Sequence, residues 1–318
     1  MTGTSRSRPR SSVRALACPA SLKGVLDASV AAAALATGLR SGGAEAVELP
    51  VADGGEGTAA ALHRALGGRW HDAVVTDAFG RDRSARWLEL PDGTAVVEAA
   101  QAVPLDPSRL DPMHASSRGL GELISATGSP VRLLVGLGGT ATVDGGAGLR
   151  GTLANLPAPT RVACDTLVPL LDAARLYARQ KGATDEQIEE LALRLSGLQE
   201  LAPFAELPGA GAAGGLGAAL ASLGAELVPG AALVLDTAGF EPVGSDLVIT
   251  GEGRVDRTTA TGKAPGEVAR RCREAGVRCV VFGGVVDEPL DGVETVALSG
   301  DPERAYDDLV SLGRGLAG

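Results

Sequence analysis

Aromatic residues are scarce in this 318-residue chain, at 3%: two Trp, two Tyr and four Phe. A core without them must be filled by Leu, Val and Ala, which suits parallel strands covered by helices. Cysteine is scarce too. Cys18, Cys164, Cys272 and Cys279 form no C-x-x-C pair, which excludes that redox motif and points to buried free thiols in a reducing cytosol. The three histidines, His63, His71 and His114, stand apart and offer no zinc-binding spacing. They read as isolated surface or core residues. No apolar run reaches the ~18 residues that a membrane span needs. Positive charge is in deficit: the formal net charge is −10, which argues against a nucleic-acid surface but permits a local phosphate site. No G-x-S-x-G elbow occurs. Residues 1–12 are Ser/Arg-rich without an apolar segment. They are expected to be a disordered tail rather than a secretory signal, and the protein is expected to be cytoplasmic.

Glycine is abundant, with 45 residues, and three stretches use it in one way. The first is Pro50-Val51-Ala52-Asp53-Gly54-Gly55-Glu56-Gly57-Thr58. The second follows the apolar run 131–137: Gly138-Gly139-Thr140-Ala141-Thr142-Val143-Asp144-Gly145-Gly146-Ala147-Gly148. The third is Asp246-Leu247-Val248-Ile249-Thr250-Gly251-Glu252-Gly253-Arg254-Val255-Asp256, running on to Gly262-Lys263. Each reads as a strand ending in glycines and charges. Backbone N–H groups converging there make anion cradles. Three such strand ends suggest one crevice, where open α/β sheets bind ligands.

Along the chain, apolar runs predict strands at 13–17, 46–50, 74–76, 87–90, 95–98, 131–137, 162–165, 232–236, 246–250, 278–283 and 294–297. Helices are expected at 27–39, with Asp27 as N-cap, and at 58–66, 115–127, 173–180, 264–275 and 302–312. Another helix follows the glycine-rich stretch 208–217 and ends near residue 223. Thr184 with Gln187 has capping-box spacing, and Ile188, Leu191, Leu195 and Leu198 then share one helical face. Pro91-Asp92-Gly93 reads as a hairpin turn. The fold class predicted is α/β in two domains. A discontinuous Rossmann-like parallel-sheet domain, 13–77 plus 245–318, carries a second α/β domain inserted at 78–244.

Two motifs fall short. Gly209, Gly211 and Gly214 spell G-x-G-x-x-G with Asp236 ending the next expected strand, but no good strand precedes them. Gly262-Lys263 continues with Ala264, so the P-loop consensus fails. What remains is a set of charges on glycine loops: Lys23, Asp53, Glu56, Asp144, Glu252, Arg254, Asp256 and Lys263. Phosphoryl transfer uses such a set, with cations and N–H groups on phosphates, carboxylates on Mg²⁺ and one carboxylate taking a proton.

At these residues the chain resembles the bacterial glycerate kinases of type I. Residues 50–58 are similar to the family's P-[IV]-A-D-G-G-E-G-T. Residues 136–148 are similar to G-[IL]-G-G-[ST]-A-T-x-D-G-G-x-G, and 246–265 to D-L-V-I-T-G-E-G-R-[IV]-D-x-x-T-x-x-G-K-x-P. Gln180-Lys181-Gly182-Ala183 and residues 209–217 match further. The resemblance implies a flavodoxin-like domain with an insertion, and ATP-dependent phosphorylation of D-glycerate to 2-phosphoglycerate with Mg²⁺. Lys23 matches the lysine of the family's first loop. On chemical grounds Lys23 and Lys263 are assigned to phosphate or the substrate carboxylate, Asp53 or Asp256 to the base, and Arg254 to the catalytic set. Gly54, Gly55, Glu56, Gly138, Gly139, Thr140, Asp144, Gly251, Glu252 and Gly253 are assigned to substrate and phosphate binding, with Asp53 and Asp144 as candidates for Mg²⁺. The partners expected are the hydroxy acid and a second copy of the chain in a homodimer, with no nucleic acid and no membrane.

The departures lie at polar positions. Family Asp, Phe, Asn, Asn and Gln are Ala20, Leu22, Val143, Val168 and Thr258, and the segment between 149 and 162 is short. Two readings stay open: an active kinase of glycerate or a related small hydroxy acid, and a weakened paralogue that binds ligands or regulates.

Overall fold

The computed structural model describes residues 12–318, and among them eleven strands form two sheets. The strands are β1 (Arg14–Pro19), β2 (Glu45–Glu48), β3 (Arg69–Thr76), β4 (Asp82–Glu89), β5 (Thr94–Glu98), β6 (Arg132–Gly136), β7 (Thr160–Cys164), β8 (Glu226–Pro229), β9 (Leu247–Val255), β10 (Arg278–Val286) and β11 (Glu294–Ala297). The expected tail, apart from Ser12, lies outside the described residues.

The first sheet is wholly parallel, in the order β2-β1-β9-β10-β11. Numbered within the sheet this is 2-1-3-4-5, the flavodoxin-like order, with the direction of winding reversing between β1 and β9. Helices Ala28–Ser41 and Ala305–Leu316 cover one face, burying Leu35, Leu39 and Leu309 against Ala15, Ile249 and Phe282. Helix Ala264–Ala275 covers the other with Val268 and Cys272. The second sheet runs β3-β4-β5-β6-β7-β8, antiparallel through β5 and parallel beyond it. Its hairpin turns at Gly93, where φ is +80°, as the Pro91-Asp92-Gly93 reading expects.

Much of the helical pattern is as the sequence predicts. Thr184 and Gln187 close a capping box on helix Asp185–Ser196. Ile188, Leu191 and Leu195 are buried, with Leu198 packed beside them. Other elements differ. Residues 232–236 are not a strand but the middle of helix Gly230–Ala238. A five-residue apolar run does not reveal its period, and Gly239, in the left-handed region, ends the helix. Strand β8 was not anticipated. Segment 74–76, placed in the first unit, belongs to β3 of the second sheet, because its backbone pairs along its whole length with β4. Asp27 occupies the N-cap position, but its side chain makes no capping bond.

Helix Gly230–Ala238 joins the two layers. Leu233, Val234 and Ala238 pack with Leu62, Val96 and Leu134 of the second sheet's cluster, while Ala231 and Leu235 pack with Val51, Val248 and Val268. The carboxyl ends of both sheets are thereby fixed beside one another.

Candidate functional site

The loop after β2 leaves the first sheet and docks on the strand ends of the second. Val51 N–H still bonds to Pro19 O at the end of β1. Three residues on, Gly54, at φ +91°, lies so near the end of β7 that an added Cβ would stand 2.7 Å from Ala163 Cβ. Gly138 N–H donates to Gly54 O over 3.3 Å, and a Cβ on Gly138 would meet Gly55 Cα at 2.5 Å. On the far side Gly230 rests on the Asp53 carbonyl. Glycine is required here for close approach, and the result is that Asp53 is gripped by β6, β7 and the helix after β8 although it comes from the first sheet.

Several charged groups surround Asp53. Asp165 follows β7 and is exposed on the crevice wall, yet protein crowding its carboxyl, and then the charge of Asp53, raise its pKa, with Lys181 opposing. Lys181 is 4% exposed. Its Nζ donates to Thr142 O over 2.8 Å and to Thr140 Oγ1 over 3.5 Å. Burial brings its pKa down to about 8, against the pull of Asp165 and Asp144. Glu98, at the end of β5, is buried and accepts from Ala59 N–H at 2.6 Å, capping helix Thr58–Leu66. Burial raises its pKa. On the first-sheet side Glu252 accepts from Thr259 Oγ1 at 2.7 Å and pairs with Lys263 at 3.1 Å. Burial, outweighing these partners, raises the Glu252 pKa, and Asp53 adds to the rise. Asp165 and Glu252, from different sheets, thus both feel Asp53.

A cavity of about 410 Å³ opens at the ends of β1, β9 and β10, at the point where the winding reverses. Lys23, Glu252, Gly253, Arg254, Asp256 and Lys263 line it. The structure therefore brings Lys23 together with the charges of the third glycine stretch, but gives them unequal freedom. Lys23 makes no ion pair among the described residues. Arg254 points to Asp287, 2.6 Å away, with both side chains largely exposed. The Asp256 carboxylate accepts from Thr258 N–H at 2.7 Å and from its hydroxyl at 2.5 Å, bonds that hold its pKa low. Gly251 is buried against Phe282 and serves the sheet. Glu56 is exposed and adds to the rise in the Glu98 pKa.

Asp144 is placed differently from the other acids. Its carboxylate accepts from Ser117 N–H and Oγ and from the N–H groups of Gly146 and Gly148, at 2.8–3.1 Å. Those bonds tie the turn at 144–148 to helix Arg118–Ser125 and use the oxygens a cation would need. Gly209 and Gly211 pack against Cys164 and Pro169, and Gly214 against Thr142, so the G-x-G-x-x-G serves close backbone packing. Asp236 pairs with Arg271 on a helix. All four cysteines are free thiols. His71 stacks on Trp87 and meets Glu89, and His114 meets Asp111.

The polar departures are accommodated by packing. Val143 is 1% exposed and joins Leu170, Leu191 and Leu195. Val168 packs on Gly211. Thr258 closes the turn at Asp256, and Ala20 keeps its N–H on Gly251 O at 2.8 Å. Sequence reasoning missed Asp165, Glu98 and Thr259, and quoted Lys181 without giving it a role. Asp165 had a signal: it is the first residue beyond a strand, the criterion applied to the other loops.

Among the described residues no three His, Cys, Asp or Glu side chains are grouped to hold a metal by themselves. Mg²⁺ seldom needs such a cage, since it keeps water and takes one or two carboxylates plus phosphate oxygens. The hard oxygens of Asp53 and Asp165, the latter's pKa raised in part by Asp53, fit that use.

This fold and site define an α/β protein of two sheets whose strand ends carry clustered charges. The sequence model of the glycerate kinase family matches residues 15–156 and 155–300. The chain is 36% identical to glycerate 2-kinase of Escherichia coli, over 94% of this chain and 96% of that one. It is 35% identical to a glycerate kinase of Bacillus subtilis, over 88% and 87%. A solved structure of a candidate glycerate kinase 2 from Salmonella typhimurium LT2 superposes with a TM-score of 0.83 at 31% identity, covering 96% of this chain and 98% of that one. The chain belongs to the glycerate kinase family.

Proposed function

We propose that the protein transfers the γ-phosphoryl group of ATP to D-glycerate, giving 2-phosphoglycerate, with Mg²⁺ as cofactor. The observation that carries this reading is the convergence of both sheets on Asp53, with lysines on one side and glycine N–H groups on the other. The named relatives supply the substrate, and nothing in them favours a regulatory paralogue. The apolar packing of Val143 and Val168 also removes the argument that these losses leave a broken site.

In this reading the glycerate hydroxyl oxygen attacks the γ-phosphorus as the bond to ADP breaks, and Asp53 accepts the hydroxyl proton. Lys263 and Lys23 steady the phosphates, and in the two glycine segments the N–H groups of Gly54 and Gly139, unlike those of Gly55 and Gly138, are left for an oxyanion. Asp165, with phosphate oxygens and water, would hold Mg²⁺, which neutralises phosphate charge. Asp256, its carboxylate engaged and its pKa low, is the poorer base of the two first considered. The test is an ADP-release assay with Mg-ATP and D-glycerate at millimolar levels, beside Asp53→Asn. Turnover lost in the variant supports the reading. A folded wild-type chain that binds ATP yet turns over with no small hydroxy acid would return it to the paralogue.

A further inference from the structure

The function proposed above does not say where each substrate lies. We infer that the 410 Å³ cavity at the β1–β9 reversal is the nucleoside triphosphate site, and that the hydroxy acid is held across the crevice by the strand ends of the second sheet. This placement rests on the kinase reading and deepens it. Three observations carry it. First, the volume lies within the ~300–1,000 Å³ of small-molecule sites, and its position is the switch point at which open α/β sheets take nucleotides. Second, the lining combines two chemistries. Val25, Val285, Leu298 and Pro302 offer apolar surface to a base and sugar. Lys23 and Lys263 line the same cavity, and Lys263 pairs with Glu252, a carboxyl that also feels Asp53. Lys23 has no carboxylate partner among the described residues, so in a chain of net charge −10 it is a cation left for a polyanion.

Third, the second sheet offers a polar setting. Asp165 and Glu98 stand at the ends of β7 and β5, and the buried Lys181, from the turn at 179–181, reaches Thr140 and Thr142 beyond β6. That suits a three-carbon acid. The triphosphate would run from the cavity past Lys263 to Asp53, where the two ligands meet.

The test uses Val285→Trp in the full chain. Val285 is 40% exposed, so the indole fills the cavity without entering the core. Binding of the β,γ-imido analogue of ATP is measured by calorimetry, and both KM values by ADP release, with a thermal melt to confirm folding. The expected result is a Kd for the analogue and a KM for ATP raised at least tenfold, with KM for glycerate changed less than twofold. Lys23→Gln should also raise the analogue Kd tenfold or more. If both variants fold and leave the Kd within twofold of wild type while the wild type turns over glycerate, the nucleotide lies elsewhere and the placement is wrong. If the wild type binds the analogue in the cavity, as Val285→Trp reveals, but turns over no hydroxy acid, the placement stands and the kinase reading fails.

Discussion

Gly230→Ala tests whether Asp53 owes its position to the second sheet. A Cβ at residue 230 would stand 2.7 Å from the Asp53 carbonyl carbon, closer still to its oxygen, and 3.1 Å from Cys164 O. Ordinary contact needs at least 3.4 Å, so the Asp53 backbone must retreat by on the order of 1 Å. No flexible side chain is there to yield, because the obstructing atoms are backbone. Misplacing a catalytic group by that much costs about 10²-fold in rate, equivalent to about 2.7 kcal/mol in the barrier. Overpacking should cost a further ~1–3 kcal/mol of stability. The assay is steady-state ADP release with a thermal melt alongside. Gly315→Ala is the control: it sits in helix Ala305–Leu316 with nothing within 4 Å of its Cβ, and should stabilise by ~0.5–1 kcal/mol with kcat unchanged. A Gly230→Ala protein that melts like wild type and keeps wild-type kcat would refute the claim that this contact positions Asp53.

Asp53→Asn should lower kcat by ~10²–10⁴, while Asp256→Ala, whose carboxylate serves a turn, should cost about tenfold or less by the same assay. Equal losses would remove the distinction between them. The Lys181 pKa is lowered on folding to about 8 from 10.5. Between these values the unfolded chain binds the extra proton, so this residue's contribution to stability rises as pH climbs from about 8 towards 10.5. Urea unfolding should therefore favour wild type over Lys181→Met increasingly across that window, and a pH-independent difference would contradict the burial argument. Thr184→Ala, which breaks the capping box, should cost ~1 kcal/mol without altering either KM.

The sequence disclosed the glycine loops readily because each carries its chemistry within ten residues. Asp53, Glu252 and Lys263 were found this way, and the sheet order was implied by the family resemblance. Elements whose identity depends on packing were harder. Residues 232–236 are apolar enough for either a strand or a helix, and only burial of Leu233 and Leu235 towards two different clusters makes the helix useful. Asp144 looked like a ligand because it lies among glycines, but its partner Ser117 is 27 residues away. Lys181 showed the reverse: a charged residue in a local motif whose role depends on Thr142, 39 residues distant. Segment 74–76 was hard to allot for a similar reason, since β3 resembles any short strand until β4 is seen beside it.

The flavodoxin-like order also governs when the first sheet is completed on the ribosome. Strand β1, one in from the edge, pairs with β2 early but must wait for β9, since Ala15 is matched with Leu247, 232 residues later in the chain. At ~5–20 residues per second of synthesis, that is a delay of roughly 12–46 s. Throughout it the inner edge of β1 has no partner, and by its end every strand of the second sheet has emerged. The nascent chain should thus fold its insertion first, and the half-built sheet around it is the species most in need of a chaperone.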